Sequence, residues 1–99
     1  MEGVAFIGDE LTAAGYRLAG ATTYVVPPGE AADALADARA QAELVLVAAA
    51  QARGIDPAAL AAALAATRPL TLVVDDVLER EAPPDIEQLM RRALGVEAA

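Results

Sequence analysis

Acidic side chains stand at two places in this sequence where a short apolar run ends. Asp9 and Glu10 follow the run Val4–Ile7, and Asp75 and Asp76 follow a later run. The carboxyl ends of parallel strands share one edge of an open α/β sheet, and ligands bind at that edge. Carboxylates there could hold Mg²⁺ or Ca²⁺, which makes Asp9, Asp75 and Asp76 candidate metal ligands. The competing interpretation is that Asp9 caps the helix that follows it.

Phosphoryl transfer to an aspartate is a second chemistry to consider at such an edge. Receiver domains of response regulators share this general architecture, and they need an aspartate at the end of the third strand and a lysine later. The third apolar run here ends in Val47, Ala48 and Ala49, and the chain has no lysine. We therefore expect no phosphoacceptor. A degenerate receiver-like interaction module with an acidic metal-binding edge stays open as the alternative function.

Residue types that usually carry catalysis are missing from the chain. It has no cysteine, no histidine and no lysine, so thiolates, imidazole bases and Schiff bases are excluded. Gly8, Gly15 and Gly20 are too widely spaced for a dinucleotide-binding fingerprint. Gly15 falls inside a predicted helix, where close contact with a neighbouring element would explain it. We expect a non-catalytic protein without a cofactor.

Length and charge restrict the class of protein further. A chain of 99 residues forms one domain, and its formal net charge of −8 disfavours nucleic acid and anionic lipid as partners. No apolar run reaches the ~20 residues that span a bilayer, and the amino terminus has no basic segment typical of a secretory signal. We expect a cytoplasmic protein that does not insert into a membrane.

Strands and helices alternate along the chain. The predicted strands are Val4–Ile7, Thr22–Val26, Leu44–Val47 and Leu70–Val74. Helices are predicted after Asp9, over Glu30–Ala42, after Asp56-Pro57 and over Asp85–Leu94, with residues 48–55 as a loop or a broken helical turn. This order predicts a single α/β domain with a four-stranded parallel sheet flanked by helices. We expect residues 1–82 to form the sheet domain and residues 83–99 to form a carboxyl-terminal helix of the same folding unit, either fixed to the sheet domain or mobile.

Helical spacing predicts which side chains share a face. In the first helix, Leu11, Ala14, Leu18 and Ala19 form the face expected to be buried. Tyr16 and Arg17 lie opposite, so at least one of them should be exposed. Leu60 and Leu64 mark the expected buried face of the third helix.

The last predicted helix has a narrow apolar stripe. Asp85 is its expected cap, Gly95 its stop, and the stripe consists of Ile86, Leu89, Met90, Ala93 and Leu94. Such a helix can pack on the protein's own sheet or lie against a helix of another protein. Both alternatives stay open.

Both ends of the sequence resemble one family. The front carries Ala5-Phe6-Ile7-Gly8-Asp9 and Gly15-Tyr16-Arg17-Leu18-Ala19-Gly20, and the back carries the segment 85–97, DIEQLMRRALGVE. Together these motifs resemble the F subunit of the rotary V-type and archaeal A-type ATPases. The length and the strand–helix order agree with that family across the whole chain.

The resemblance implies a non-catalytic component of the central rotor stalk of a proton- or sodium-translocating ATPase or ATP synthase. Such components bind the D subunit, which forms the long coiled coil of the stalk, and through it the ring of catalytic A and B subunits and the membrane-sector connector. The protein would then be peripheral to the membrane. The contact residues implied by this resemblance are Tyr16, Arg17, Ile86, Leu89, Met90, Arg91 and Arg92.

Overall fold

A computed structural model describes residues 3–75. Four strands, β1 (Val4–Gly8), β2 (Thr22–Val25), β3 (Leu44–Ala48) and β4 (Leu70–Val74), form one sheet. The helices are α1 (Glu10–Leu18), α2 (Ala31–Gln41), α3 (Ala49–Ala52) and α4 (Pro57–Ala65), and a 3₁₀ turn covers Pro28–Glu30. All strand pairs are parallel, in the order β2-β1-β3-β4. The predicted α/β class and parallel sheet are confirmed.

Short local signals set the helix ends. The Asp9 carboxylate accepts a hydrogen bond from the Thr12 backbone N–H, which confirms it as the cap of α1. Gly20 follows the end of α1 with a φ of 101°, a conformation that favours glycine. Asp56 caps α4, and Pro57 is its first residue, as predicted. The segment 48–55, predicted as a loop or a broken helical turn, contains the short helix α3, which agrees with the second alternative.

The core lies mainly on one face of the sheet. There α2, α3 and α4 cover Ala5 and Ile7 of β1 and Val45 and Val47 of β3. Leu35 of α2 is buried in this layer, and so are several alanines. Because alanine is small, these helices can lie close to the sheet while burying little apolar area per residue. Leu60 of α4 packs against this core, whereas Leu64 is exposed, so the predicted burial of Leu64 is wrong.

The opposite face carries the helix α1. A second, smaller cluster joins Phe6 of β1, Ala48 of β3 and Ala13 of α1, with Tyr16 packed against it. Helix α1 lies over the β1–β2 half of the sheet. Among the described elements, three helices therefore cover one face and a single helix covers the other.

Candidate functional site

The acidic residues at the carboxyl edge do not converge in the described part of the chain. Asp9 follows β1 and Asp75 follows β4, and β3 lies between those strands. Two strand spacings put the strand ends about 10 Å apart. Within residues 3–75, no group of three or more side chains of the kind that bind metals is close enough to hold an ion. Asp76, the third predicted ligand, lies outside the described residues.

Two packing contacts lie near the carboxyl ends of β1, β2 and β3. The Phe6 ring lies over Gly8, so closely that a Cβ atom on Gly8 would collide with it. The buried Gln51 of α3 donates a hydrogen bond of 3.0 Å to the Val26 carbonyl, which follows β2. These contacts connect the ends of β1, β2 and β3 by packing.

A cleft of about 350 Å³ opens at the amino ends of β3 and β4. Its lining residues are Ala42, Glu43, Thr67, Arg68 and Pro69. Ligands of open α/β sheets bind at the carboxyl ends of the strands, so this cleft lies at the opposite edge. We find no arrangement of a nucleophile and a base among its lining side chains.

The structure separates the roles of Tyr16 and Arg17, the two predicted contact residues of α1. The half-buried Tyr16 ring stacks on Phe6, with ring centroids 4.4 Å apart. The exposed Arg17 forms a 3.0 Å ion pair with Glu10 and donates a hydrogen bond of 3.2 Å to the Thr23 hydroxyl. Arg17 thus meets the expectation that at least one of the pair is exposed. Its ion pair is solvated and contributes about 0–1 kcal/mol to stability.

The apolar stripe of α1 faces away from the sheet, contrary to the sequence prediction. Leu11 is 61% exposed and Leu18 is 91% exposed, whereas Thr12 and Ala13 are buried. Each helical residue advances about 100° around the axis. With positions 12, 13 and 16 toward the sheet, positions 11 and 18 must point outward. The predicted burial of Leu11, Leu18 and Ala19 is therefore wrong.

This outward stripe is an exposed apolar surface on a helix that contacts the sheet through its other side. We define the outer stripe of α1 as Leu11, Ala14, Gly15 and Leu18. Leu11 and Leu18 are one heptad apart, with Gly15 between them, and no atom of a neighbouring element lies within 4 Å of where a Gly15 side chain would start. The expected close neighbour of Gly15 is therefore not found within residues 3–75. The Glu10–Arg17 ion pair runs along one side of the stripe.

An apolar centre with a charged rim is the usual anatomy of a protein–protein interface. The missing side chain of Gly15 would let another helix approach the α1 backbone closely. The heptad spacing of Leu11 and Leu18 was visible in the sequence. The sequence did not show whether these two leucines face the sheet or the solvent, because that depends on which residues of α1 contact the sheet.

The remaining predicted contact residues belong to the carboxyl-terminal segment. These residues, Ile86, Leu89, Met90, Arg91 and Arg92, lie outside the described part of the chain. The predicted boundary between residues 1–82 and 83–99 also lies there.

Comparison with known proteins leaves the family of this chain open. No protein-family model matches the chain, and a search of curated proteins finds no significant relative. Within residues 3–75, no helix combines the length and the apolar character needed to cross a membrane. Any assignment of function must therefore start from the outer stripe of α1 and from the resemblance of the sequence motifs.

Proposed function

We propose that this protein is a non-catalytic central-stalk component of a rotary V-type or A-type ATPase, which binds the coiled-coil stalk subunit through the outer stripe of α1. The observation that carries the proposal is the exposure of Leu11 and Leu18 on one face of a helix that is otherwise fixed to its sheet. The identity of the partner comes from the sequence motifs at both ends of the chain.

The geometry of the outer stripe suits a long helical partner. Leucines seven residues apart repeat with the heptad period of a coiled coil, so both can contact one helix laid along α1. Covering one leucine side chain contributes about 1.5–3 kcal/mol. In this proposal the two leucines, with close approach at Gly15, make α1 the main anchor, and further contacts along the partner helix help to offset the cost of association. Arg17 and Glu10 would lie at the rim, where charges favour correct orientation more than affinity.

A rotor component transmits force, so the helix that contacts the partner must be held rigidly on its own domain. Tyr16 of α1 stacks on Phe6 of β1, and Asp9, which directly follows β1, caps the first turn of the helix. In this proposal Tyr16 positions α1, and the outward leucines make the contact. Arg17 keeps its predicted place in the interface, at the edge.

Co-expression with the coiled-coil stalk subunit of the same organism tests the proposal. We expect a one-to-one complex in size-exclusion chromatography with light scattering. The double variant Leu11→Gln/Leu18→Gln should weaken the complex at least about 100-fold, since each lost leucine contact costs on the order of tenfold or more. The matched control is Leu64→Gln, which changes an exposed leucine of α4 and should bind like the unmodified chain.

Two results would contradict this assignment at different levels. Absence of any complex with the unmodified chain would overturn the stalk function itself. A complex that tolerates Leu11→Gln/Leu18→Gln as well as Leu64→Gln would keep the stalk function and overturn α1 as its anchor. Circular dichroism of each variant shows that the fold is retained, as expected for exposed positions.

A further inference from the structure

The α1 side of the sheet has a second apolar region, which the described residues cover only in part: Leu46 and Val74 pack against the Phe6 cluster. Successive side chains of a strand point to opposite faces of the sheet, so every second residue of β3 and β4 lies on this side. The pairing register aligns Leu44 with Leu70 and Leu46 with Leu72. We define the β3–β4 apolar face as Leu44, Leu46, Leu70, Leu72 and Val74. Leu70 is 44% exposed and Leu72 is 45% exposed, and the other three residues are half-buried.

The β3–β4 apolar face is about as wide as one helix. Neighbouring strands are about 4.8 Å apart and a helix is about 10 Å wide, so one helix covers two strands. Helix α1 covers β1 and β2, which leaves the width of one helix over β3 and β4. On the other side of β4, Thr71 is fully buried and Val73 is 42% exposed, so that side of the strand is covered in part.

We propose that residues 85–94 of the same chain cover the β3–β4 apolar face as a helix beside α1. The sequence continues directly from β4, which ends at Val74, so ten residues (75–84) separate it from the segment 85–94, more than a strand-to-helix link needs. Ten helical residues are about 15 Å long, and a five-residue strand is about 16 Å long, so the two lengths match.

The chemistry of the segment 85–94 also fits this place. Its apolar stripe of Ile86, Leu89, Met90, Ala93 and Leu94 meets an apolar surface, while Arg91 and Arg92 stay on its polar side. A second copy of the chain is a poorer occupant, because each copy carries a net charge of −8 and the copies repel. The proposal concerns the isolated chain and does not depend on the proposed function.

Cysteine accessibility in the full-length chain tests this, since the natural sequence has no cysteine. The variants are Leu72→Cys and the matched control Val73→Cys. These neighbours have nearly equal exposure within the structure, 45% and 42%, but point to opposite faces of β4. We expect a maleimide to label Leu72→Cys at least about tenfold more slowly than Val73→Cys. Leu70→Cys should be protected like Leu72→Cys. Equal protection at both positions would show that slow labelling is not caused by a local change at residue 72 alone.

The second step identifies what covers the face. Adding Leu89→Asp to Leu72→Cys should restore fast labelling, at a rate that is independent of protein concentration. Equal labelling of Leu72→Cys and Val73→Cys would overturn the proposal. So would protection that survives Leu89→Asp, or protection that increases with protein concentration, which would indicate a second copy on this face.

Discussion

The Tyr16 ring lies parallel to the Phe6 ring, with centroids 4.4 Å apart and an angle of 13° between the ring planes. This stack joins α1 to β1 in the middle of the sheet. Because Phe6 is fully buried and lies over Gly8, the position of the Tyr16 ring is set by the sheet. The stack therefore fixes which side of α1 faces solvent.

Tyr16→Ala should destabilise the protein without removing any contact with a partner. We expect a loss of about 2 kcal/mol in the free energy of unfolding, measured by urea denaturation, from lost packing and lost ring stacking. Tyr16→Phe keeps the stack and should change stability by less than about 0.5 kcal/mol. Partner binding that falls with Tyr16→Phe while stability is unchanged would show that the hydroxyl contacts the partner directly.

Gly15→Ala separates the stability of α1 from its binding. The position is open and helical, so alanine should raise the free energy of unfolding by about 0.5–1 kcal/mol. The same methyl group should weaken the stalk complex, because it holds a partner helix away from the α1 backbone. Gly8→Ala is the contrasting variant: its Cβ would collide with Phe6, and overpacking should cost about 1–3 kcal/mol. A Gly15→Ala chain that binds as tightly as the natural one would argue against close helix approach there.

Tyr24 should titrate at unusually high pH. Its hydroxyl donates a hydrogen bond of 2.6 Å to the Asp37 carboxylate of α2, and this bond, with smaller contributions from burial and the Asp37 charge, raises the pKa of Tyr24 to about 12. Because the folded pKa lies above the ordinary value of 10, the stabilisation is fully present below pH 10. It is lost as the pH rises through about 12.

Ultraviolet titration of tyrosinate absorbance checks this prediction. The chain has two tyrosines, so Tyr24→Phe should remove the transition near pH 12 and identify it. Asp37→Ala should move that transition toward pH 10, since the acceptor and its charge are both lost. A transition that stays near pH 12 in Asp37→Ala would assign the shift to another cause.

Arg39 and Thr71 should be energetically coupled. The Arg39 guanidinium donates hydrogen bonds of 2.6 Å to the buried Thr71 hydroxyl and 3.1 Å to the Pro69 carbonyl, and so connects α2 to β4. Arg39→Met leaves both acceptors without this donor and should cost about 1–3 kcal/mol in the free energy of unfolding. Thr71→Val should cost less in the Arg39→Met background than alone, with a coupling of about 1 kcal/mol in a double-mutant cycle. Additive losses would mean that the bond contributes nothing of its own.

Local sequence signals determined the elements of this protein. Asp9 and Asp56 are helix caps whose side chains satisfy nearby backbone N–H groups, and Gly20 ends α1 with a backbone conformation that glycine adopts easily. The runs Leu44–Val47 and Leu70–Val74 are strands because their apolar, partly β-branched residues suit a covered parallel sheet. These interactions span a few residues, so they can be predicted from neighbours in the sequence.

Tertiary structure decided which faces are buried. Periodicity shows that Leu11 and Leu18 share a face, but it does not show whether that face meets the sheet or the solvent. The Tyr16–Phe6 stack and the small residues Thr12 and Ala13 decide this, because they let α1 lie close to β1 and β2. The partners of Arg39 and Tyr24 are also distant in sequence. Such contacts depend on the strand order, in which α1 covers one half of a sheet face, and strand order is a property of the assembled fold.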